Sequence, residues 1–428
     1  MRLLSLALAS FALFPLRAAE NAPHALTLQD AIRLSASVAT VELARLDAAI
    51  ARAGYGAERT GLRPQIDAVA GWVRQRQYQQ SGGDGVALSP DNTVDARLRV
   101  GQALIDLETW HRTQAANRRL AAAEAGTALS LEEAAATAGV AYADLVTAEA
   151  LVGVRREDLA LAQELLVLAR KQVEAGASEG IAATRSENRV AAAQTALTVA
   201  EGQLRSGSIT LGRALRLDPA TVFTPNDKLG GDLGLSTAPA TVNDAVTTAQ
   251  QNRPELRVSS ETLAAFQADF QAARGARLPT IDAFADAGRI GPEVDDTDTT
   301  WRVGVELRIP LMDRSRYDAQ AARFRLEQQR VLREDLLQRI SAEVRNAVVA
   351  LETGAAGLRS AQEERRLAEQ ELREARTRFE AGVAGNLELV EAQRSLSIAR
   401  ERVVGAQTVL VRARVGLARA VGVATTLK

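Results

Sequence analysis

The spacing of apolar residues changes along the first half of the chain. From residue 27 to about 60, alanine, leucine and isoleucine recur every three or four positions, which predicts a helix that ends before Pro64. In LRPQIDAVA, residues 62–70, apolar side chains then alternate with polar or small ones. The alternation returns at 97–104 after a polar, glycine-rich loop. We therefore predict a hairpin of two strands over about 64–106.

The second half of the chain repeats these patterns in the same order. We predict two structural repeats, at 20–217 and 241–428, joined by an irregular connector at 218–240 that is rich in proline, glycine and threonine. The second repeat contributes a strand hairpin over about 279–313. The matched segments are TLQDAI (27–32) and TVNDAV (241–246), VEL (41–43) and PEL (254–256), LRPQIDAVA (62–70) and RLPTIDAFA (277–285), LRVGQALID (98–106) and VELRIPLMD (305–313), and VEAG (173–176) and FEAG (379–382).

Each predicted strand is about 10 residues long and carries apolar side chains on one side and polar residues or glycine on the other. This pattern is typical of a transmembrane β-barrel with a polar interior, and also of amphipathic hairpins in a soluble sheet. Trp72 and Trp301 lie near strand ends, where each is either a membrane-interface anchor or a packing residue. If the hairpins form a barrel, several chains must share it, because four strands are fewer than the smallest known barrel of about eight.

Long helices account for most of the remaining sequence. Residues 107–175 and 314–381 contain no proline, and their apolar positions recur every three or four residues. At 1.5 Å per residue, a helix of this length reaches roughly 100 Å. Shorter helices follow at about 181–217 and 385–421, so each repeat ends in a helical hairpin, at 107–217 and 314–421. Helical hairpins of this length, continuous with strand hairpins, predict a rod that extends away from a membrane.

Composition narrows the class of protein. The chain has 428 residues, a net charge of −1 and no cysteine, which removes the electrostatic basis for nucleic-acid binding and rules out disulfides and thiolate metal sites. Residues 1–19 are interpreted as an export signal with an uncertain cleavage site, because the apolar run from Leu3 to Leu16 is short for a membrane helix. An N-terminal anchor is the alternative. No later segment approaches about 18 uninterrupted apolar residues.

Candidate catalytic chemistry is sparse. The two histidines, His24 and His111, lie outside any recognisable motif, and no phosphate-binding glycine loop is present. Glu388 and Glu391 are three residues apart on a predicted helix, so they point the same way instead of flanking a substrate bond as glycosidase acids do. We therefore predict that the protein is not an enzyme and has no cofactor or metal site.

Together, these features resemble the TolC-like outer membrane efflux family. The resemblance covers nearly the whole mature chain: the export signal, the RPQIDAVA and LPTIDAFA strand starts, the LRIPLMD strand end and the two EAG helix turns. It implies a mainly α fold with a β-barrel part, in which three chains build one twelve-stranded outer membrane barrel. The helices continue the barrel as an α-helical tunnel through the periplasm. The implied function is the passive exit duct of a tripartite efflux or type I secretion system.

The resemblance also implies partners and sites. An inner membrane pump of the RND or ABC type and a periplasmic adaptor would supply substrate, and the adaptor would meet the helix turns. The turn residues are Gly176, Ala177, Ser178, Gly382, Val383 and Ala384. Family members carry two acids on the helix after the second turn, and Glu388 and Glu391 occupy those positions. They imply a ring of carboxylates with cation preference at the tunnel entrance; alternatively, they only favour the positive N-terminus of their helix.

The chain departs from the family at the entrance. The positions of polar residues that tie the entrance shut in well-known members are here Ala182 and Ala384, and Phe379 replaces a tyrosine and donates no hydrogen bond. The pattern therefore does not indicate how a closed entrance is held, and it does not identify the substrate. A structural coiled-coil protein of the cell envelope, without a conduit, is the alternative function. It accounts for the long helices but leaves the paired strand hairpins unexplained.

Overall fold

A computed structural model describes residues 24–75, 78–81, 84–87, 91–176, 179–218, 220–230, 241–311 and 314–426. The predicted export signal, Ala177, Ser178 and residues 219 and 231–240 of the predicted connector lie outside these residues. The protein is mainly helical with a smaller part in strands, as predicted. Its elements are β1 (His24–Leu26), α1 (Leu28–Ser35), α2 (Ala39–Thr60), β2 (Gln65–Gln75), β3 (Tyr78–Ser81), β4 (Asp84–Ala87), β5 (Asp91–Ile105), α3 (Leu107–Glu174), α4 (Ile181–Ala214), β6 (Phe223–Pro225), α5 (Val242–Asn252), α6 (Pro254–Gly275), β7 (Thr280–Gly291), β8 (Asp298–Arg308), α7 (Ser315–Glu380) and α8 (Asn386–Val421).

The first helical segment is two helices, where the sequence pattern predicted one over residues 27–60. Thr27 caps α1 through a reciprocal pair of hydrogen bonds with Asp30. The helix ends at Ser35, and α2 starts at Ala39. Near the break the Ser35 hydroxyl donates to the carbonyl of Ile32 at 2.6 Å, and the hydroxyl of Ser37 donates to that of Leu34 at 2.9 Å. Local hydroxyl-to-backbone bonds of this kind compete with helical bonding, which accounts for the interruption.

Four strands form one antiparallel sheet in the order β2-β5-β7-β8, so β5 and β7 join the two halves of the chain. Because side chains alternate across a strand, the register places the apolar residues on one face. That face carries Ile66, Ala68, Ala70, Trp72, Leu98, Val100, Ala283, Ala285, Trp301, Val303, Val305 and Leu307. The opposite face carries Asp67, Asp95, Arg97, Arg99, Asp282, Phe284, Asp286, Arg302, Glu306 and Arg308. The larger apolar side chains of the first face are mostly exposed.

Two short paired segments lie where the pattern predicted irregular chain. β3 and β4 form a small antiparallel ladder in the segment expected to be a glycine-rich loop. β6, in the expected irregular connector, pairs in parallel with β1, and His24, Ala25 and Leu26 lie opposite Phe223, Thr224 and Pro225. These ladders are too short to leave a periodic signal, because three or four residues do not establish an alternation.

The long helices pack side by side, with α3 against α4 and α8, and α7 against α8. Their proline-free sequences permit 68 residues in α3 and 66 in α7, about 100 Å each. Among the described residues, α3 alone is apolar and long enough to meet the criterion for a membrane span. Core helices of soluble proteins meet the same criterion, and residues of α3 also form the main hydrophobic core with α1, α4, β6 and α8.

A buried tyrosine adds polar contacts between the N-terminal segment and this core. Tyr142 of α3 is fully buried, and its hydroxyl lies 2.9 Å from the Leu26 carbonyl and 2.6 Å from Asp227 Oδ2. Asp227 Oδ2 also accepts the Leu28 amide at 2.9 Å. Burial, and secondly the Asp227 carboxylate, raise the pKa of Tyr142 well above its ordinary value. Tyr142 therefore stays neutral and joins β1, α1 and the connector to α3.

Candidate functional site

The two helical hairpins end in turns that require glycine. Gly176 and Gly382 have φ angles of +70° and +73°, in the left-handed region that glycine adopts without steric cost. At the second turn, the Gly382 amide donates to the Phe379 carbonyl and the Val383 amide to that of Arg378, each at 3.0 Å. This pair of bonds is the Schellman arrangement that ends a helix. Apart from the chain neighbours of each glycine, no atom of the described residues lies within 4 Å of the position of a Cβ at either glycine, so the backbone conformation and not a lack of space favours glycine there.

A buried hydrogen bond joins the first and second hairpins near their turns. The side-chain amide of Asn386, at the start of α8, donates to the carbonyl of Ala182, at the start of α4, at 2.8 Å. Asn386 is 5% exposed and Ala182 is 3% exposed. The Asn386 Oδ1 atom is also buried and has no hydrogen-bond partner among the described residues. Sequence analysis missed Asn386, because an asparagine at a helix start ordinarily indicates a cap.

Phe379 is a packing residue. It is 3% exposed and lies in a cluster with Leu165 of α3, Ala375 of α7, and Leu389 and Ala392 of α8. Within one chain, Phe379 thus contributes apolar packing and no hydrogen bond. Together with the Asn386 bond, this cluster holds the ends of α3, α4, α7 and α8 in contact.

The two candidate acids differ in their surroundings. Glu388 and Glu391 are both exposed in the first two turns of α8. Arg378 Nη1, in the last turn of α7, donates to Glu388 Oε1 at 2.8 Å, with the two side chains 57% and 42% exposed. Glu391 forms no ion pair with any described residue. Sequence analysis missed Arg378, since a partner ten residues away across a turn leaves no helical spacing to detect.

Apolar side chains are exposed at the turns, beside exposed glutamates. Val383 is 74% exposed and Ala384 is partly exposed. Two further apolar side chains, Ile181 and Leu387, are exposed on the helix starts beside them. Of the other predicted docking residues, Gly176 and Gly382 form the turns, whereas Ala177 and Ser178 lie outside the described residues. A group of exposed apolar side chains, such as the one at these helix turns, is typical of an interaction surface.

Above the turns, polar pairs join α3 and α7 or α8 along much of their length. The Asp158 carboxylate is nearly buried, and it accepts the Ser397 hydroxyl at 2.6 Å and Arg400 Nη1 at 3.3 Å. Most pairs place an acid on α3 opposite an arginine on α7 or α8. Further cross-helix pairs include Asp144 with Arg412 at 2.6 Å, Thr147 with Thr408 at 2.9 Å, Arg155 with Glu401 at 2.6 Å, and Glu164 with Arg376 at 2.8 Å.

At the sheet, Trp72 and Trp301 project from the apolar face and are 64% and 72% exposed. Large aromatic side chains on an exposed apolar face fit a membrane or a partner surface. On the polar face the Asp286 side chain lies between Arg302, at 2.8 Å, and Arg97, at 3.4 Å. Across the described part of the chain, no group of three or more histidine, aspartate or glutamate residues has the arrangement of a metal site.

The sequence and the fold of this chain are similar to those of known outer membrane proteins. The family model described as outer membrane efflux protein matches residues 28–215 and 245–423. The pyoverdine export outer membrane protein OpmQ of Pseudomonas aeruginosa is 25% identical over 405 residues, which cover 91% of this chain and 82% of OpmQ. Among solved structures, CusC aligns with a TM-score of 0.83 at 17% identity over 95% of both chains. The MtrE outer membrane channel of Neisseria gonorrhoeae, in its open state, aligns with a TM-score of 0.79 at 22% identity over 92% of this chain and 88% of MtrE.

Proposed function

The chain belongs to the outer membrane efflux protein family, and from that premise we propose that three copies form the passive exit duct of a tripartite efflux or secretion system. Membership makes the protein an outer membrane efflux channel and not an enzyme. The proposal concerns its assembly: a shared twelve-stranded barrel, a helical tunnel in the periplasm, and a pump and adaptor at the inner membrane.

The observation that carries the proposal is the four-stranded sheet. Among the described residues, β2 and β8 each pair along one edge only, and exposed backbone edges invite pairing with another strand. The apolar face of the same sheet is exposed over several large side chains. A membrane barrel resolves both features, because neighbouring copies pair the edges and lipid covers the apolar face. The polar face then lines the interior.

A rod without a conduit is the competing proposal, and extraction separates the two. A barrel requires detergent for extraction and runs on gels as an oligomer that dissociates on heating. A periplasmic coiled coil is released by alkaline washing and runs as a monomer in denaturant without heating. Release in the wash would refute the duct. The exposed apolar sheet favours the barrel, because a soluble rod would leave Trp72, Trp301 and their neighbours in water.

We place the periplasmic entrance at the helix turns, with Glu388 and Glu391 as gate acids. Three chains would bring these carboxylates to one constriction and favour cations. Purified protein in planar bilayers should therefore form small, cation-preferring channels. The double change Glu388→Ala with Glu391→Ala should weaken that preference, and unchanged selectivity would contradict the gate.

The apolar surface around Val383 is the proposed adaptor-docking site. Photo-cross-linking from position 383 in intact cells should capture a periplasmic adaptor, whose identity also specifies the pump. Position 366, on the exposed side of α7 well above the turn, provides a matched control. Capture of the same partner from both positions would contradict docking at the turns. OpmQ is named for pyoverdine export, and at 25% identity that name leaves the substrate of this chain open.

A further inference from the structure

We propose that Arg378 sets the charge of the pair of gate acids by neutralising Glu388, so that Glu391 is the gate acid of each chain that keeps an unpaired carboxylate. This inference rests on the proposed gate, and it distinguishes two acids that the sequence treats as equivalent. It assigns a role in ion selectivity to an arginine that lies outside the acid pair.

The geometry of the turn brings the arginine to the acid. Arg378 lies in the last turn of α7 and Glu388 in the first turn of α8, and their charged atoms are 2.8 Å apart. The main-chain carbonyl of Arg378 accepts the amides of Val383 and Ala384 at 3.0 and 3.2 Å. Arg378 therefore has two roles in the turn: its carbonyl accepts the closing hydrogen bonds, and its side chain carries the positive charge. The turn fixes the backbone of Arg378 opposite the start of α8.

The other nearby arginines do not substitute for Arg378. Arg376, two residues earlier, lies 2.9 Å from Glu380 and 2.8 Å from Glu164, so its charge is already balanced. Arg394 lies one turn beyond Glu391 on α8 and forms no ion pair with a described residue. Among the described residues, the Arg378 guanidinium is thus the cation within ion-pair distance of Glu388, and none is that close to Glu391.

The consequence for permeating ions follows from charge summation. An ion pair closed at hydrogen-bond distance acts as a dipole, and at physiological salt the field of a surface charge falls off within about 8 Å. An unpaired carboxylate acts as a full charge. Of the six gate carboxylates that three chains would bring together, about three would then act as full charges. Because both members of the pair are exposed, the pair contributes little to stability, and its removal changes charge without unfolding the turn.

The test measures reversal potentials in planar bilayers under a potassium chloride gradient. Arg378→Gln frees Glu388 and should raise the cation-to-anion permeability ratio about twofold. Glu388→Gln leaves Arg378 unpaired and should lower the ratio. The double variant Arg378→Gln with Glu388→Gln removes the whole pair and should restore the wild-type ratio. Arg378→Lys keeps the charge and should behave as wild type.

Arg366→Gln is the matched control. Arg366 pairs with Glu363 at 2.7 Å on the exposed side of α7, about 18 Å along the helix from Arg378. It should leave selectivity unchanged. An unchanged ratio in Arg378→Gln, or a double variant as low as Glu388→Gln alone, would overturn the role of Arg378 while leaving the gate intact. Insensitivity to Glu388→Gln and to Glu391→Gln as well would instead refute the gate itself.

Discussion

Replacing Tyr142 with phenylalanine should loosen the N-terminal segment selectively. The Tyr142 hydroxyl and the Asp227 carboxylate link β1, α1 and the connector to α3, and the tyrosine is fully buried. The substitution keeps the ring and removes one buried hydroxyl. A hydrogen bond to a charged group contributes about 1.5–3 kcal/mol. At about 2 kcal/mol, the opening equilibrium of the segment should shift about thirtyfold.

Hydrogen exchange measures this shift at individual amides. The reporters are the amides of His24, which donates to Val222 at 2.9 Å, of Leu28, which donates to Asp227, and of Asn226, which donates to Leu26 at 2.8 Å. They should exchange about thirtyfold faster in Tyr142→Phe, in keeping with about 2 kcal/mol. Amides near the helix turns should keep their protection. Tyr317→Phe is the matched control, because Tyr317 is 71% exposed. Unchanged exchange at the three reporters, or an equal loss over the whole chain, would refute the reasoning.

The raised pKa of Tyr142 predicts that the free energy of unfolding depends on pH in the alkaline range. Burial, and secondly Asp227, raise the pKa of Tyr142 above its ordinary value of about 10. In the unfolded chain the hydroxyl ionises near that ordinary value, whereas in the folded chain it stays neutral. Its contribution to stability is therefore fully present below about pH 10 and is lost as the pH rises further. In Tyr142→Phe, the free energy of unfolding should depend less on pH in this alkaline range.

Three further changes test the helix turns and the packing of the long helices. Phe379→Tyr should destabilise the end of the hairpin by about 1–3 kcal/mol, measured by hydrogen exchange, because its hydroxyl would be buried in an apolar cluster; a gain in stability would mean that the hydroxyl finds a partner. Gly382→Ala, at a φ of +73°, should cost about 1–2 kcal/mol in the same assay, whereas Gly357→Ala, within the exposed side of α7, should not; equal effects would contradict the conformational argument. Thr147→Cys with Thr408→Cys should form a disulfide on oxidation, seen as a shift on non-reducing gels, because the two hydroxyls lie 2.9 Å apart and the chain has no other cysteine; its absence would contradict the register of α3 and α8.

The helices and strands with a long periodic pattern could be predicted from the sequence. Period-two alternation identified the strands of the sheet and the face that carries Trp72 and Trp301, because one face of each strand is apolar. Helices as long as α3 and α7 were accessible because proline is absent from them. The glycines at 176 and 382 were recognisable because a helix-ending turn at positive φ selects that residue.

The contacts between segments that are distant in sequence could not be predicted. The bond from Asn386 to Ala182 joins residues 204 positions apart, and nothing in either local sequence specifies the other. The pairing of Arg378 with Glu388 depends on how the turn folds back, which no helical period encodes. The pairing of β5 with β7 between the two halves is equally non-local, since a strand pattern gives the face of each strand and not its neighbour. The first two of these contacts lie at the candidate entrance, and the third joins the strands of the sheet.

The polar pairs between α3 and α8 address a problem that alanine-rich helices create. More than half of the buried residues of α3 are alanine, which permits close packing but makes one register look much like another. Each exposed ion pair adds little stability, so these pairs do not explain why α3 and α8 pack together. Sliding α8 by one turn, however, would move Arg412 away from Asp144 and separate the nearly buried Asp158 from Ser397 and Arg400. Arg155 of the same helix, 3.6 Å from Asp158, would stay as its charged partner. Losing partners of a buried carboxylate costs more than losing a surface pair. Asp158 therefore favours the register in which Asn386 lies opposite Ala182 and Glu388 and Glu391 lie at the end of the helices.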